Sequence, residues 1–190
     1  MESMKEKFAE VLKEMLVNKT LDKITIKDIV SKCGVSRQAF YYYFDDIYHI
    51  VEWIFLQETE KALNEYSDID TWQFGYRLLL KWIKKNQMLV INTYKSIQRE
   101  YVENFMNHIL YQYIFRVVEE QAQGFKITDS QKIFVARFYT LAFNAISLEW
   151  IRNGMVDEAE DIVNQVEILV KGDFKKALKN FNDENNRCKE

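Results

Sequence analysis

The stretch CGVSRQAFYYYF, residues 33–44, sets three consecutive tyrosines between two phenylalanines, and its spacing decides what the amino-terminal part of the chain becomes. Gly34 is the residue type that ends a helix in the left-handed conformation, and Ser36 is a good N-cap two positions later. Val35 can plug the corner between them. A helix from about Arg37 to Tyr43 places Phe40 and Phe44, four residues apart, on one face with Val35, and turns Arg37, Gln38, Tyr41 and Tyr42 elsewhere. The run of tyrosines is therefore split. One face holds a small core, and the other presents a guanidinium, an amide and phenols to the outside.

Upstream, Thr25 stands as an N-cap with Asp28 three residues on, a capping-box spacing, and a helix of about two turns buries Ile26, Ile29 and Val30 before Gly34. Residues 21–24 make a short connection. Before it, Phe8, Val11, Leu12, Met15 and Leu16 fall at i, i+3, i+4, i+7 and i+8, the stripe of an amphipathic first helix. Two short helices joined by a tight turn behind an amphipathic helix form a helix-turn-helix, whose second member can enter a DNA major groove roughly 12 Å wide.

Downstream, Asp45 and Asp46 suit the start of a long fourth helix that buries Ile47, Ile50, Val51 and Ile54 and continues to about Tyr66. Helices are predicted over about 70–85, 87–96, 99–123, 130–153 and from 157 to 170 or beyond, with Thr128 and Gln131 as another capping box and Gly124 and Gly154 at two of the breaks. The chain has no proline and five glycines, so an all-α fold is expected: a three-helix helix-turn-helix domain over 1–46 followed by a second all-helical domain over 47–181. The polar end NDENNRCKE, 182–190, reads as disordered.

No apolar run reaches the roughly 18 to 20 residues of a membrane span, and the first residues lack the apolar stretch of a secretory signal, so a cytoplasmic protein with no membrane partner is expected. Cys33 and Cys188 read as reduced thiols. The net charge of −3 argues against a generally basic coat but leaves room for a local DNA-reading face. Enzyme chemistry has little to work with. His49 and His108 are remote from each other and have no metal-ligand spacing, and there is neither a glycine-rich phosphate loop nor a nucleophile elbow. No metal, cofactor or catalytic residue is implied.

The segment TIKDIVSKCGVSRQAFYYYF, 25–44, resembles the amino-terminal signature of the TetR family of bacterial transcription regulators, through Thr25, Ile29, Gly34, Val35, Ser36, Tyr41 and Phe44. The resemblance implies a DNA-binding set of Thr25, Lys27, Ser36, Arg37, Gln38, Ala39, Tyr41, Tyr42 and Tyr43. Arg37, Gln38 and Ala39 would face base edges with Lys27 assisting, and Tyr41, Tyr42 and Tyr43 would meet phosphates. The chemistry agrees: Arg can fork onto guanine, Gln can pair with adenine, an Ala methyl can meet a thymine methyl, and phenols donate to phosphate oxygens. One departure stands out. Three residues after the Phe the family usually has a phosphate-binding lysine, and here Ile47 follows two aspartates. FDDIYHIVEWIF, 44–55, and EWIRNGM, 149–155, look like the subgroup related to dihydroxyacetone-kinase operon regulators.

By the same resemblance, helices four to seven enclose an effector pocket, with Trp82, Tyr101, Phe105, His108, Arg116 and Asn144 as candidates; a satisfied or solvent-facing histidine is the competing reading of His108. Dimerisation follows from the residues themselves. IFVARFYTLAFNAISLEWI, 133–151, is apolar on more than one face, so it needs cover beyond its own core. Phe138, Leu141, Ala145 and Leu148, joined by Ile162, Val166 and Leu169 of the next helix, are expected to form a two-fold four-helix interface. The expected function is a homodimeric, sequence-specific regulator on a palindromic double-stranded DNA operator, with repression as its sign and a small molecule or protein co-regulator as its control. The rival is a protein-interaction module of the same fold with weak or no DNA binding.

Overall fold

A computed structural model describes residues 3–65, 71–96 and 99–187, and the side chains of these other than 58–65 and 101. The described residues form ten α-helices: α1 Met4–Leu16, α2 Ile26–Cys33, α3 Arg37–Tyr43, α4 Ile47–Glu65, α5 Trp72–Lys85, α6 Gln87–Tyr94, α7 Arg99–Gln121, α8 Asp129–Arg152, α9 Ala159–Val170 and α10 Asp173–Arg187. A single 3-10 turn, Leu21–Lys23, fills the connection between α1 and α2. The first three helices form the helix-turn-helix module, and the rest form a helical bundle, as the periodicity predicts.

Helix starts are fixed by side chains that accept from otherwise orphaned backbone N–H groups. Ser3 Oγ accepts from Glu6 N at 3.3 Å while the Glu6 carboxylate accepts from Ser3 N at 2.6 Å. Thr128 and Gln131 repeat this reciprocal pair at α8, with distances of 3.2 and 2.9 Å.

In the bundle, α7 and α8 pack along each other, α4 lies against α5, and α5 against α9. Trp72, Tyr76, Leu79, Leu80 and Ile83 line the buried side of α5. Tyr76 is fully buried, and its hydroxyl shares a 2.9 Å hydrogen bond with Ser147 Oγ on α8. Gly75 lets α7 approach, since a Cβ there would lie 2.6 Å from Tyr113 Oη. None of the described helices is long and apolar enough to cross a membrane.

The polar end of the chain departs from expectation. α10 continues through Arg187, because its amides are tied to the α7–α8 loop rather than left to water. Asn182 Oδ1 accepts from Lys126 N at 2.8 Å, and Asn185 Nδ2 donates to Lys126 O at 2.9 Å. Asn185 and Gln131 also exchange hydrogen bonds of 3.0 and 2.8 Å. Composition reports the lack of apolar residues but not these partners. Cys188 lies outside the described residues.

Candidate nucleic-acid interface

The helix-turn-helix is built as its spacing dictates. Thr25 Oγ1 accepts from Asp28 N at 3.2 Å and donates to Asp28 Oδ2 at 2.6 Å, while Oδ2 also accepts from Thr25 N at 2.9 Å. These bonds from Thr25, side chain first and backbone second, hold the Asp28 carboxyl below its usual range. At the other end of α2, Gly34 takes φ 70°, ψ 32°, and Val35 N closes the turn onto Val30 O at 3.0 Å. Ser36 Oγ then caps α3 by accepting from Ala39 N at 3.2 Å.

α3 is clamped from beneath by aromatic rings. Phe40 and Phe44 are buried with Phe8 of α1, whose ring centroid lies 5.5 Å from Phe40 in an edge-on arrangement and 6.3 Å from Phe44. Burying each ring contributes about 1.5–3 kcal/mol, and each well-placed aromatic pair about 0.5–1.5 kcal/mol more. That exceeds what seven helical residues supply alone.

On the outer side Arg37, Gln38 and Lys27 are exposed, Ala39 is half-buried, and Tyr41 and Tyr42 are 50% and 82% exposed. The structure therefore brings Arg37, Gln38, Tyr41 and Tyr42 onto an open surface. Tyr43 is different: half-buried, it tilts its ring toward Phe8 at 6.2 Å and receives Tyr42 edge-on at 4.9 Å. It supports the platform as well as lying beside it. The Thr25 hydroxyl hydrogen is committed to Asp28, which leaves Thr25 a capping residue.

Beyond α3, Asp46 Oδ1 accepts from His49 N at 2.8 Å and so caps α4. His49 Nδ1 lies 3.3 Å from Asp45 Oδ2. Ile47, where a cation was missed in the sequence, is half-buried and packs on the core.

The candidate pocket residues whose side chains are described do not all face one site. Trp82 and Phe105 both pack on Phe55, with centroids at 4.9 and 5.5 Å, as part of the core between α4, α5 and α7. Asn144 is buried on α8 and its Oδ1 has no hydrogen-bond partner among the described residues. Arg116 corrects the expectation and His108 takes its solvent-facing reading: both are exposed, and His108 meets Gln112 Nε2 at 2.9 Å on the outside of α7. The reason is periodicity, since 104, 108, 112 and 116 share one face of a helix and that face looks to solvent. The Tyr101 side chain lies outside the described residues. Sequence reasoning missed Ser96, whose Oγ is buried without a partner among the described residues, against a narrow cavity of about 10 Å³ lined also by Tyr48, Glu52, Phe55, Thr93 and Phe105.

An exposed apolar surface does run along α8 and α9. Phe138 is 62% exposed and Leu141 53%, Ala145 is exposed, and Leu148 and Ile162 are half-buried. Leu169 of α9 is exposed too. Val166 is not on this surface: with Val163 it is buried inside its own chain. Phe134 and Ile168, unselected in the sequence, are exposed in its place. Phe134, Phe138, Leu141, Ala145 and Leu148 step by four and three, a seam suited to a facing helix.

Residues 11–53 match the family model described as bacterial regulatory proteins, tetR family, and residues 70–172 match one described as transcriptional regulator C-terminal region. The chain is 24% identical over 173 residues, 88% of each chain, to the HTH-type dhaKLM operon transcriptional activator DhaS of Lactococcus lactis subsp. lactis (strain IL1403). Its fold is similar to the solved dihydroxyacetone kinase operon activator DhaS, with a TM-score of 0.69 and 24% identity over 90% of this chain and 96% of that one. The TetR family repressor AlkX from Dietzia sp. strain DQ12-45-1b, implicated in biodegradation of n-alkanes, superposes with a TM-score of 0.57 at 14% identity over 93% and 97%.

Proposed function

The chain belongs to the TetR family of bacterial regulatory proteins, and from that premise we propose that it is a homodimeric transcription regulator that reads a palindromic operator through α3. The observation that carries this reading is the outward display of Arg37, Gln38 and Tyr42 on a helix clamped from beneath by Phe8, Phe40 and Phe44. Arg37 and Gln38 offer the fork and the amide that read guanine and adenine edges, and the tyrosine hydroxyls offer donors to phosphates. Membership of a family of regulators makes the protein a regulator rather than an enzyme.

The homodimer is supported by the apolar seam of α8 with Ile168 and Leu169 of α9, because so large an apolar surface is rarely left to water. A second copy related by a two-fold axis would cover it and set two α3 helices about 34 Å apart. Control by a small molecule or a protein partner is the second half of the proposal. Its support is the match of residues 70–172 to a transcriptional regulator C-terminal region; the cavity beside Ser96, about 10 Å³, has room for one water at most. We take repression as the sign, since a dimer lying along the duplex blocks a promoter with no further contact. DhaS is named an activator and AlkX a repressor, so a promoter–reporter assay reads the sign directly.

Selection of bound duplexes from a random pool by the purified protein tests the core of the proposal. The expected product is a pair of inverted half-sites. Arg37→Ala should relax preference at one base position by about 1–3 kcal/mol, whereas Tyr42→Phe should weaken all sequences alike. No enrichment, together with no salt-sensitive binding to random duplex at low salt, would leave the interaction-module reading in its place.

A further inference from the structure

The reading module meets the bundle where α1 packs on α4 and α6, and two links within that contact stand out. One is covalent: the chain leaves α3 through Phe44 in an extended conformation and enters α4 at Ile47, with Phe44 set edge-on to Trp53 at 6.2 Å. The extended residues between α3 and α4 are the covalent pivot of the module, and the packing of α1 on α4 and α6 limits how far it can turn about them. The other is a side chain. Asn92 of α6 reaches across 76 positions of sequence, and its Nδ2 donates to Leu16 O at 2.7 Å. Leu16 is the last residue of α1, so its carbonyl is one of those a helix leaves without an internal partner. Only the amide nitrogen can serve there, since the carbonyl of either group has no proton to give.

α6 is itself held at its other end. Gln87 Nε2 donates to Gly154 O at 3.2 Å, and Lys84, just before α6, donates to Met155 O, both in the turn that leaves α8. The line of contact thus runs from the α8–α9 turn, through α6 and Asn92, to the end of α1. From there Phe8 carries it to Phe40 and Phe44 under α3.

We infer that Asn92 is a positioning residue for DNA reading: its bond to Leu16 O fixes the rotation of the reading module about the α3–α4 pivot, and so fixes the separation of the two α3 helices in a dimer. The inference rests on the DNA-binding dimer proposed above. Asn92 touches no DNA in this account. Its effect is on which half-site spacing the dimer accepts.

The test compares Asn92→Asp, which keeps the shape but opposes one oxygen to another, with Asn92→Leu, which keeps the packing and removes the donor. Binding is measured to the selected operator and to versions with one base pair added or removed between half-sites. The native protein should discriminate among spacings, and both variants should lose about 3- to 10-fold of that discrimination, the range expected for one hydrogen bond. A residue that only stabilises the fold would lower the melting temperature and leave the ratio between spacings unchanged, which would overturn the inference. If Asn92→Asp does not fold, Asn92→Leu decides. A spin label at Glu10→Cys in a Cys188→Ser background supplies an independent readout: the distance between the two subunits' labels should be narrow in the native dimer and broad in Asn92→Leu, and equal widths would overturn the inference. A native protein that binds no duplex takes the DNA-binding reading down as well, whereas one that binds with spacing unmoved by both variants sinks the role of Asn92 alone.

Discussion

Replacing Gly34 by alanine and by asparagine isolates the turn on which α3 depends. Gly34 holds φ at 70° and ψ at 32°, and an added Cβ would find nothing within 4 Å. No clash contributes, so the cost is torsional. The left-handed conformation costs an L-residue about 1–2 kcal/mol, and alanine recovers only part of this by stiffening the unfolded chain. Asn tolerates the conformation better than other side chains. The expected order of stability is therefore Gly, then Asn, then Ala, with Gly34→Ala lower by about 1 kcal/mol, or about 5-fold in the local opening equilibrium. Amide hydrogen exchange of residues 29–44 reads that opening directly, and the amides of α8 serve as an internal control. The reasoning is refuted if alanine matches glycine, or if asparagine is worse than alanine, because either result would mean that the backbone angle does not set the stability of the turn.

Burial pushes the Tyr76 hydroxyl up to about 12, against the ordinary value of 10.0, while its bond to Ser147 works the other way. The unfolded chain then loses this proton first, so stability falls as pH rises from 10 to 12, by about 2–3 kcal/mol in total; urea midpoints across that window should fall less in Tyr76→Phe than in the native protein. Leu141→Glu should make the protein monomeric in sedimentation, whereas Val166→Ala, a change inside the subunit, should lower the melting temperature and leave the assembly state alone. Ile47→Lys should steepen the log–log salt dependence of operator binding by about 0.9 per half-site, and an unchanged slope would place residue 47 away from the phosphates.

The reading module is legible in the sequence because its determinants are local. Thr25 with Asp28, Gly34, Ser36, and the i, i+4 pair Phe40 and Phe44 each act within five residues, so spacing alone fixes caps, turn and buried face. The bundle is less legible for a physical reason. α7 and α8 bury apolar residues on broad faces and, in α8, expose more on the other side, so a polar residue in such a run does not announce whether it points in or out. His108 and Arg116 look inward by composition and outward by phase, and phase wins. The same ambiguity exchanges Val166 for Ile168 on α9. Asn92 gives no signal at all, since its partner is a main-chain carbonyl 76 positions away. Contacts of that kind need coordinates.

The charges of the reading module bear on how it would find a duplex. The first 46 residues carry eight Lys and Arg against eight Asp and Glu, so the module has no net charge to draw it to DNA. The acids, however, are largely occupied within the protein: Glu6 by Ser3, Asp28 by Thr25, Asp46 by the His49 amide, Glu10 by Lys13 and Glu14 by Lys32. Exposed Lys19, Lys23, Lys27 and Arg37 have no ion-pair partner among the described residues. Field and geometry are thereby separated. With acids engaged by helix starts or by neighbouring lysines and other cations left outward, the surface offers few charges in fixed places, which gives little long-range steering. Such a surface gains its selectivity from directed hydrogen bonds, and directed bonds are only as selective as the platform is rigid. That is why the rings beneath α3, the capped ends of α2 and α3, and the tie from α6 matter more here than the count of positive residues.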